Sequence, residues 1–489
     1  GGLPFEIRTV APSDFVTSAG KQGRYLMPTR DLLVNDVEVQ IEGAELDAMV
    51  LLASCDKTTP AQLMACGRLN IPAIIVTCGF QLGSECGGKH VDIEEVYNGV
   101  GALKAKRITL CELKEMTRHA IQGPGVCAGL ATANSMHCMA EALGMTLPGN
   151  APVRAASPEM MGYAEAAGRR IVEMIAEDLR PRAIMTPGAF RNAVRTAVAI
   201  GCSVNTVRHL TAIAAESECD VDVLAEFETA IDIPQITQVR PNGPTRIETF
   251  AAAGGVAGAM KQLVSRLDNE VLTVSGQRLG AVLDARPDPD SEVIRPLDNP
   301  FRAEPGLVIA RGSLAPDGSV VKLSAVPKHV RGFEGEAIVF EDESQAIAGI
   351  ENGSIRPGHA VVLRMLGPKG GPGTVFAASF MAALVGAGLG DKVAVITDGE
   401  LSGLNSGITI GQVMPEAAEG GPLAAVQSGD PVRIDLEART IDLAIPEAEI
   451  VARLAALPPR PPTLERGWLA MYEVLVQPLS KGAVLRATR

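Results

Sequence analysis

Two short apolar runs, residues 47–54 (DAMVLLAS) and 71–77 (IPAIIVT), flank a helical stretch that opens at Thr59-Pro60 and runs through Leu63, Met64 and Cys66. Strand, helix and strand within about thirty residues make a crossover unit, and such a connection joins parallel strands. The sequence therefore predicts a buried parallel pair and an α/β architecture for this part of the chain. Open α/β sheets collect their ligands beyond the carboxyl ends of the strands. Ser54-Cys55-Asp56-Lys57 falls at such an end.

That tetrad joins a thiol, a carboxylate and an amine. Thiolates are soft ligands suited to iron, whereas carboxylates are hard ligands suited to magnesium. Cys55 and Asp56 could thus serve two different metals at one place. A second cysteine, Cys127, lies in the loop PGVCAG at 124–129, just before a helix that opens near Thr132. Each residue also has a plainer reading. A cysteine is often a small buried hydrophobe, and Asp56-Lys57 suits a solvated turn. Charges at a strand end are costly unless paired, bound or solvated, which keeps both readings open.

The remaining composition narrows the function classes. With 489 residues, 46% hydrophobic and 3% aromatic, the chain can build a large aliphatic core in two domains or more. A formal net charge of -13, no basic run, four Tyr and one Trp exclude a nucleic-acid surface. All nine cysteines lie from Cys55 to Cys219. Their odd count and irregular spacing argue against a disulfide framework and fit a reducing cytoplasm. No CxxC pair suggests structural zinc. No apolar stretch reaches membrane-spanning length, and no signal peptide is expected.

Helical spacing dominates 134–143, 164–179 and 206–215. Proline and acidic residues crowd 283–306, which marks a linker. Short strands with turn signals follow, such as 318–323, 359–364, 393–396 and 432–436. This pattern predicts a smaller β-rich domain, in the form of a barrel. Expected boundaries are 1–285 for the α/β domain, 286–306 for the linker, 307–465 for the barrel and 466–489 for a helical tail. Two glycine-rich motifs qualify as anion cradles. GSECGGKH at 83–90 has His90 where a phosphate loop needs Ser or Thr, so a nucleotide site is rejected. GPKGGPG at 367–373 could wrap an anion with backbone N–H groups, or be a plain turn. The loop TDGELSGLNSG at 397–407 follows a predicted strand and could present a hydroxyl to a ligand. His209 is expected on a helix surface or in the core.

Three segments together resemble the dihydroxy-acid dehydratase and phosphogluconate dehydratase family: SCDKTTP at 54–60, GVCAGLATANSMHCMAEALGMTLPGN at 125–150, and TDGELSGLNSGITIGQVMPEA at 397–417. GCSVNT at 201–206 and the glycine-rich loop at 367 follow the same pattern in the same order. The resemblance implies an α/β domain followed by a swivelling, barrel-like domain, with sites near the domain interface. It implies a homodimer or homotetramer. The implied activity is a hydro-lyase that turns a 2,3-dihydroxy acid, branched or aldonic, into a 2-keto acid. Carried over by motif, Cys55 and Cys127 would hold an iron–sulfur cluster, 2Fe-2S rather than 4Fe-4S. Asp14, Asp56 and a carbamylated Lys57 would hold Mg2+. Ser402 would be the base, with Glu400, Asn405 and Ser406 as further candidates.

The chain departs from the family's pattern at the site itself. Many members take a third cluster cysteine from a segment upstream of what is Gly1 here. Phe376 stands where many have a magnesium-binding glutamate, Glu400 replaces an arginine, and Gln412 replaces a histidine. The alternative function is therefore a catalytically silent relative, acting as a small-acid binder or partner subunit.

Overall fold

A computed structural model describes the chain except residues 12, 14, 15, 18, 19, 21, 22, 242, 402–406, 488 and 489. The chain divides into two compact units. One comprises Gly1–Asp14, Thr29–Ser84 and Ile121–Gly306; the other comprises Phe15–Pro28, Glu85–Ala120 and Leu307–Arg489. Residues 286–306, which read as a linker, bond into the first unit. Arg295 N–H donates to Ile236 O at 2.9 Å and Gly306 N–H to Val198 O at 2.8 Å.

In the first unit, the crossover forms as its sequence predicts. Strand β1 (Met49–Ala53) pairs in parallel with β2 (Ala73–Thr77), in register from Met49–Ala73 to Ala53–Thr77. Helix α1 (Leu26–Gly43) precedes them, and helix α2 (Thr58–Leu69) connects them. Thr58-Thr59-Pro60 starts α2 well, because proline lacks only a donor that the first turn leaves unused. Asn70, at φ 49°, ends it in the left-handed conformation that closes many helices. The expected burial holds for β2 but not for β1, where Val50 and Leu52 are 39% and 66% exposed. Side chains alternate between the two faces of a strand, and the face of β1 that carries Val50 and Leu52 is left uncovered.

Helix α3 (Thr132–Ala142) is buried along its whole length, as a helix at the centre of a large core must be. Helix α4 (Pro158–Glu177) lies against β1 and β2, with Ser157 Oγ capping its start by accepting from Met160 N–H at 3.1 Å. Helices α5 (Pro187–Ile200) and α6 (Asn205–Glu216) complete the surroundings of α3. Polar residues knit the starts of α3 and α6 together. Asn205 Nδ2 donates to Thr132 Oγ1 at 3.0 Å, and Ser203 N–H to Ser135 Oγ at 2.9 Å.

The second unit contains the predicted barrel. Its strands are β3 (Val308–Gly312), β4 (Ala315–Val321), β5 (Gly332–Phe340), β6 (His359–Leu363), β7 (Ala394–Thr397), β8 (Thr409–Met414), β9 (Pro431–Asp435) and β10 (Thr440–Leu443). They close in the order β8-β4-β3-β10-β9-β5-β6-β7. Strands β5, β6, β7 and β8 run parallel to their neighbours in that series, and hairpins supply the antiparallel pairs β3–β4 and β9–β10. Closure removes free sheet edges. The core inside is aliphatic, with Val362, Ile396, Ile410 and Val413 all fully buried.

The rejected phosphate loop turns out to be a hairpin connection. Gly87 and Gly88, at φ 59° and 75°, link the short strands Ser84–Cys86 and Lys89–Val91. Two consecutive positive φ angles are what the type I′ two-residue hairpin turn requires.

Candidate functional site

The two strands of the first unit end side by side, with Cys78 N–H donating to Ala53 O at 2.7 Å. Just beyond Ala53, the chain turns into α2. Cys55 O accepts from Thr58 N–H at 3.2 Å and Thr59 N–H at 3.4 Å, while Ser54 N–H donates to Thr58 Oγ1 at 3.2 Å. The exit of β2 is bonded to the other cysteine loop. Val126 N–H donates to Gly79 O at 2.9 Å, and Gln81 N–H donates to Val126 O at 2.8 Å. Cys55 and Cys127 therefore both stand at the carboxyl end of the parallel pair. Cys55 is half-buried and Cys127 is buried.

Helix α3 holds both loops from beneath. Asn134 Nδ2 donates to Cys127 O at 2.6 Å and to Gly129 O at 2.8 Å. One turn on, His137 Nε2 lies 2.8 Å from Ser54 O. A carbonyl only accepts, so Nε2 carries the proton. Burial lowers the His137 pKa to about 4, which keeps the ring neutral at ordinary pH. Neither residue stood out in the sequence, although their i, i+3 spacing beside Cys127 was visible.

Asp56 and Lys57 are both buried, each 4% exposed. Lys57 Nζ lies 3.4 Å from His209 Nε2, and Arg30 Nη1 lies 3.5 Å from His209 Nδ1, at the long end of hydrogen bonding. His209 is thus in the core, and it touches a candidate ligand. Burial, then the charges of Lys57, Arg30 and Arg208, hold its pKa well below the usual value. A neutral imidazole has one acceptor. Arginine and a lysine ammonium both only donate, so the neutral ring accepts either from Arg30 at Nδ1 or from Lys57 at Nε2. Asp31, bonded to Arg30 at 3.1 Å, is held above the usual carboxylate range by burial.

Other cysteines fit their reading as core or incidental groups. Cys66, Cys138 and Cys202 are buried, and Cys111 is exposed. Burial pushes the Cys66 and Cys138 thiols up, and Cys78 to about 11. Asp14, Ser402, Asn405 and Ser406 lie outside the described residues. Among the described residues, no three or more His, Cys, Asp or Glu side chains gather as a metal site. The donors present are nonetheless of two kinds: two thiols on backbone-anchored loops, and a buried carboxylate next in sequence to a buried amine.

In the second unit, Glu400 is fully buried. Its N–H donates to Val375 O at 3.1 Å and its carbonyl accepts from Ala377 N–H at 3.2 Å, so it pairs directly with Phe376. Gln412, at φ 53°, donates its N–H to Gly399 O at 3.2 Å. The glycine-rich loop at 367–373 wraps a carboxyl group that belongs to the chain itself. Glu416 accepts from Lys369 N–H at 3.0 Å and Gly370 N–H at 2.9 Å. A Cβ at Gly367 would come within 2.3 Å of Glu416 Oε2, so glycine is needed for this approach. Burial and the neighbouring Asp398 push Glu416 up to about 8. Asp398 in turn accepts from Met365, Leu366 and Ala417 N–H at 2.9–3.1 Å, tying together the ends of β6, β7 and β8.

Comparison with known proteins bears on the whole chain. The family model described as the dihydroxy-acid/6-phosphogluconate dehydratase N-terminal region matches residues 1–282. The corresponding C-terminal model matches residues 292–483. A dihydroxy-acid dehydratase of Syntrophobacter fumaroxidans is 42% identical, over 99% of this chain and 88% of its own length. One from Aquifex aeolicus is 38% identical over 100% and 88%. Dihydroxy-acid dehydratase 1 of Methanosarcina acetivorans is 40% identical over 99% and 88%. Among the described residues, no helix is long and apolar enough to cross a membrane.

Proposed function

This chain belongs to the dihydroxy-acid/6-phosphogluconate dehydratase family, a family of hydro-lyases, and we propose that it dehydrates a 2,3-dihydroxy carboxylic acid to a 2-keto acid. The observation that carries the reading is the anchoring of Cys55 and Cys127 at one sheet end, beside buried Asp56 and Lys57. Cys55 and Cys127 would hold an iron–sulfur cluster, of the 2Fe-2S type. Asp14, Asp56 and Lys57 would hold Mg2+, the lysine as its carbamate. When bound, the two metal groups supply Lewis acidity to the departing hydroxyl and to the substrate carboxylate.

The residues of the chain do the rest. Ser402, as its alkoxide, removes the C2 proton as the C3–O bond breaks, and passes that proton to the departing C3 hydroxide, which leaves as water. The resulting enol tautomerises to the 2-keto acid, so carbon, oxygen and charge balance without an oxidant. Glu400 supplies a carboxylate where Phe376 cannot, since the two are directly paired in the backbone. That substitution also gives the site a substrate preference of its own within the family, between branched dihydroxy acids and aldonic acids. The protein acts as a homodimer or homotetramer in the cytoplasm.

One experiment tests these roles together. Wild type, Ser402→Ala and Glu400→Gln are assayed for 2-keto acid on a panel of both substrate classes. Ser402→Ala should lose about 10²-fold or more in kcat with KM little changed, since only proton removal is lost. Glu400→Gln should weaken magnesium affinity and shift the order of substrates. A Ser402→Ala rate near wild type assigns the base elsewhere, and an unchanged Glu400→Gln makes that carboxylate a bystander.

A further inference from the structure

We propose that Asn134 and His137 are positioning residues that set the separation of the two cysteine loops. The inference rests on the reading of Cys55 and Cys127 as thiolate ligands. The two side chains stand three positions apart on one helix, so about 4.5 Å separates them along its axis and they share a face. Each reaches a different loop. Asn134 spends both amide hydrogens on the Cys127 loop, at Cys127 O and Gly129 O. His137 spends its single proton on Ser54 O, next to Cys55. The helix between them is buried throughout and cannot flex into solvent.

The cost of this arrangement argues against a purely packing role. Asn134 Oδ1 and His137 Nδ1 are buried with no hydrogen-bond partner among the described residues. An unsatisfied buried polar atom is destabilising, and an apolar side chain of similar size would avoid it. The chain keeps two such atoms, and in return every donor of both side chains is aimed at a loop carbonyl. His137 is also neutral, so the clamp adds no charge beside the thiols. Its imidazole is a fixed-length strut with a single usable proton, and glutamine is the substitution that keeps an N–H near the same place.

The test compares anaerobically purified full-length wild type with Asn134→Leu, His137→Leu and His137→Gln. The readouts are iron per chain, the visible and paramagnetic spectra of the iron, its midpoint potential, and Cys55–Cys127 cross-linking by dibromobimane in metal-free protein. Partners that orient metal ligands contribute about 10–100-fold to affinity. Asn134→Leu and His137→Leu should therefore retain iron about 10-fold less firmly, with altered spectra and lower cross-linking yield, and His137→Gln should recover most of both. Both leucine variants keeping wild-type spectra, potential and cross-linking, with only a lower Tm, would reduce the two residues to structural ones. Absence of the cross-link in wild type would also overturn the clamp. Absence of iron in wild type with the cross-link present would instead contradict the cofactor reading and leave the clamp standing.

Discussion

Lys57→Arg should abolish magnesium retention and lower turnover on the order of 10³-fold or more, the scale of removing a preorganised charge from a reacting centre. The position explains why so similar a residue should fail. Lys57 is 4% exposed at the start of α2, against His209 and near buried Arg30 and Arg208. Arginine stays protonated at any working pH and takes up no carbon dioxide. It would bring a permanent cation to a place that needs an anionic oxygen. The larger head group adds a packing cost of about 1–3 kcal/mol, which this large core should survive. Magnesium content after desalting, read beside the far-ultraviolet spectrum, checks the expectation. Unchanged magnesium in a folded variant would remove Lys57 from the metal site.

The second large effect is expected at the thiols. Cys127→Ser changes one atom in a loop held by Asn134 and by the Val126–Gly79 bond, so the backbone should stay in place. Iron and acid-labile sulfide should nevertheless fall away, and turnover with them, because a serine hydroxyl is a hard and weakly acidic ligand where iron–sulfur chemistry needs a soft thiolate. Cys55→Ser should behave alike. Cys66→Ala is the internal control: that thiol is fully buried in α2, and burial pushes its pKa up, so it stays inert. Its loss should lower stability by about 1–2 kcal/mol and leave the iron untouched. If Cys66→Ala and Cys127→Ser lost iron equally, the loss would reflect damage to the fold.

Much of this was legible in the sequence because the signals were local. The apolar runs at 47–54 and 71–77 predicted the parallel pair, and short strands after residue 307 predicted the barrel. The placement of Cys55 at a strand end followed from the same pattern. What stayed hidden depends on long-range pairing. Nothing in residues 85–120 signals that they cluster with the second unit. His209 meets Lys57 across 152 positions of sequence, and His137 meets Ser54 across 83. The loop at 367–373 had an anion-binding look, yet only the fold could identify the Glu416 carboxyl group, 46 residues beyond Gly370, as what it holds. The exposure of Val50 and Leu52 was equally unreadable, since an apolar run does not reveal which of its faces receives a neighbour.

Elimination of water from a 2,3-dihydroxy acid is tested by the formation of 2-keto acid from anaerobically purified protein, supplied with magnesium and offered branched dihydroxy and aldonic acids in turn. One substrate class should yield a stoichiometric 2-keto acid, in proportion to the iron bound through Cys55 and Cys127. Iron- and magnesium-replete protein that binds these acids and forms no keto acid from any of them would contradict that activity.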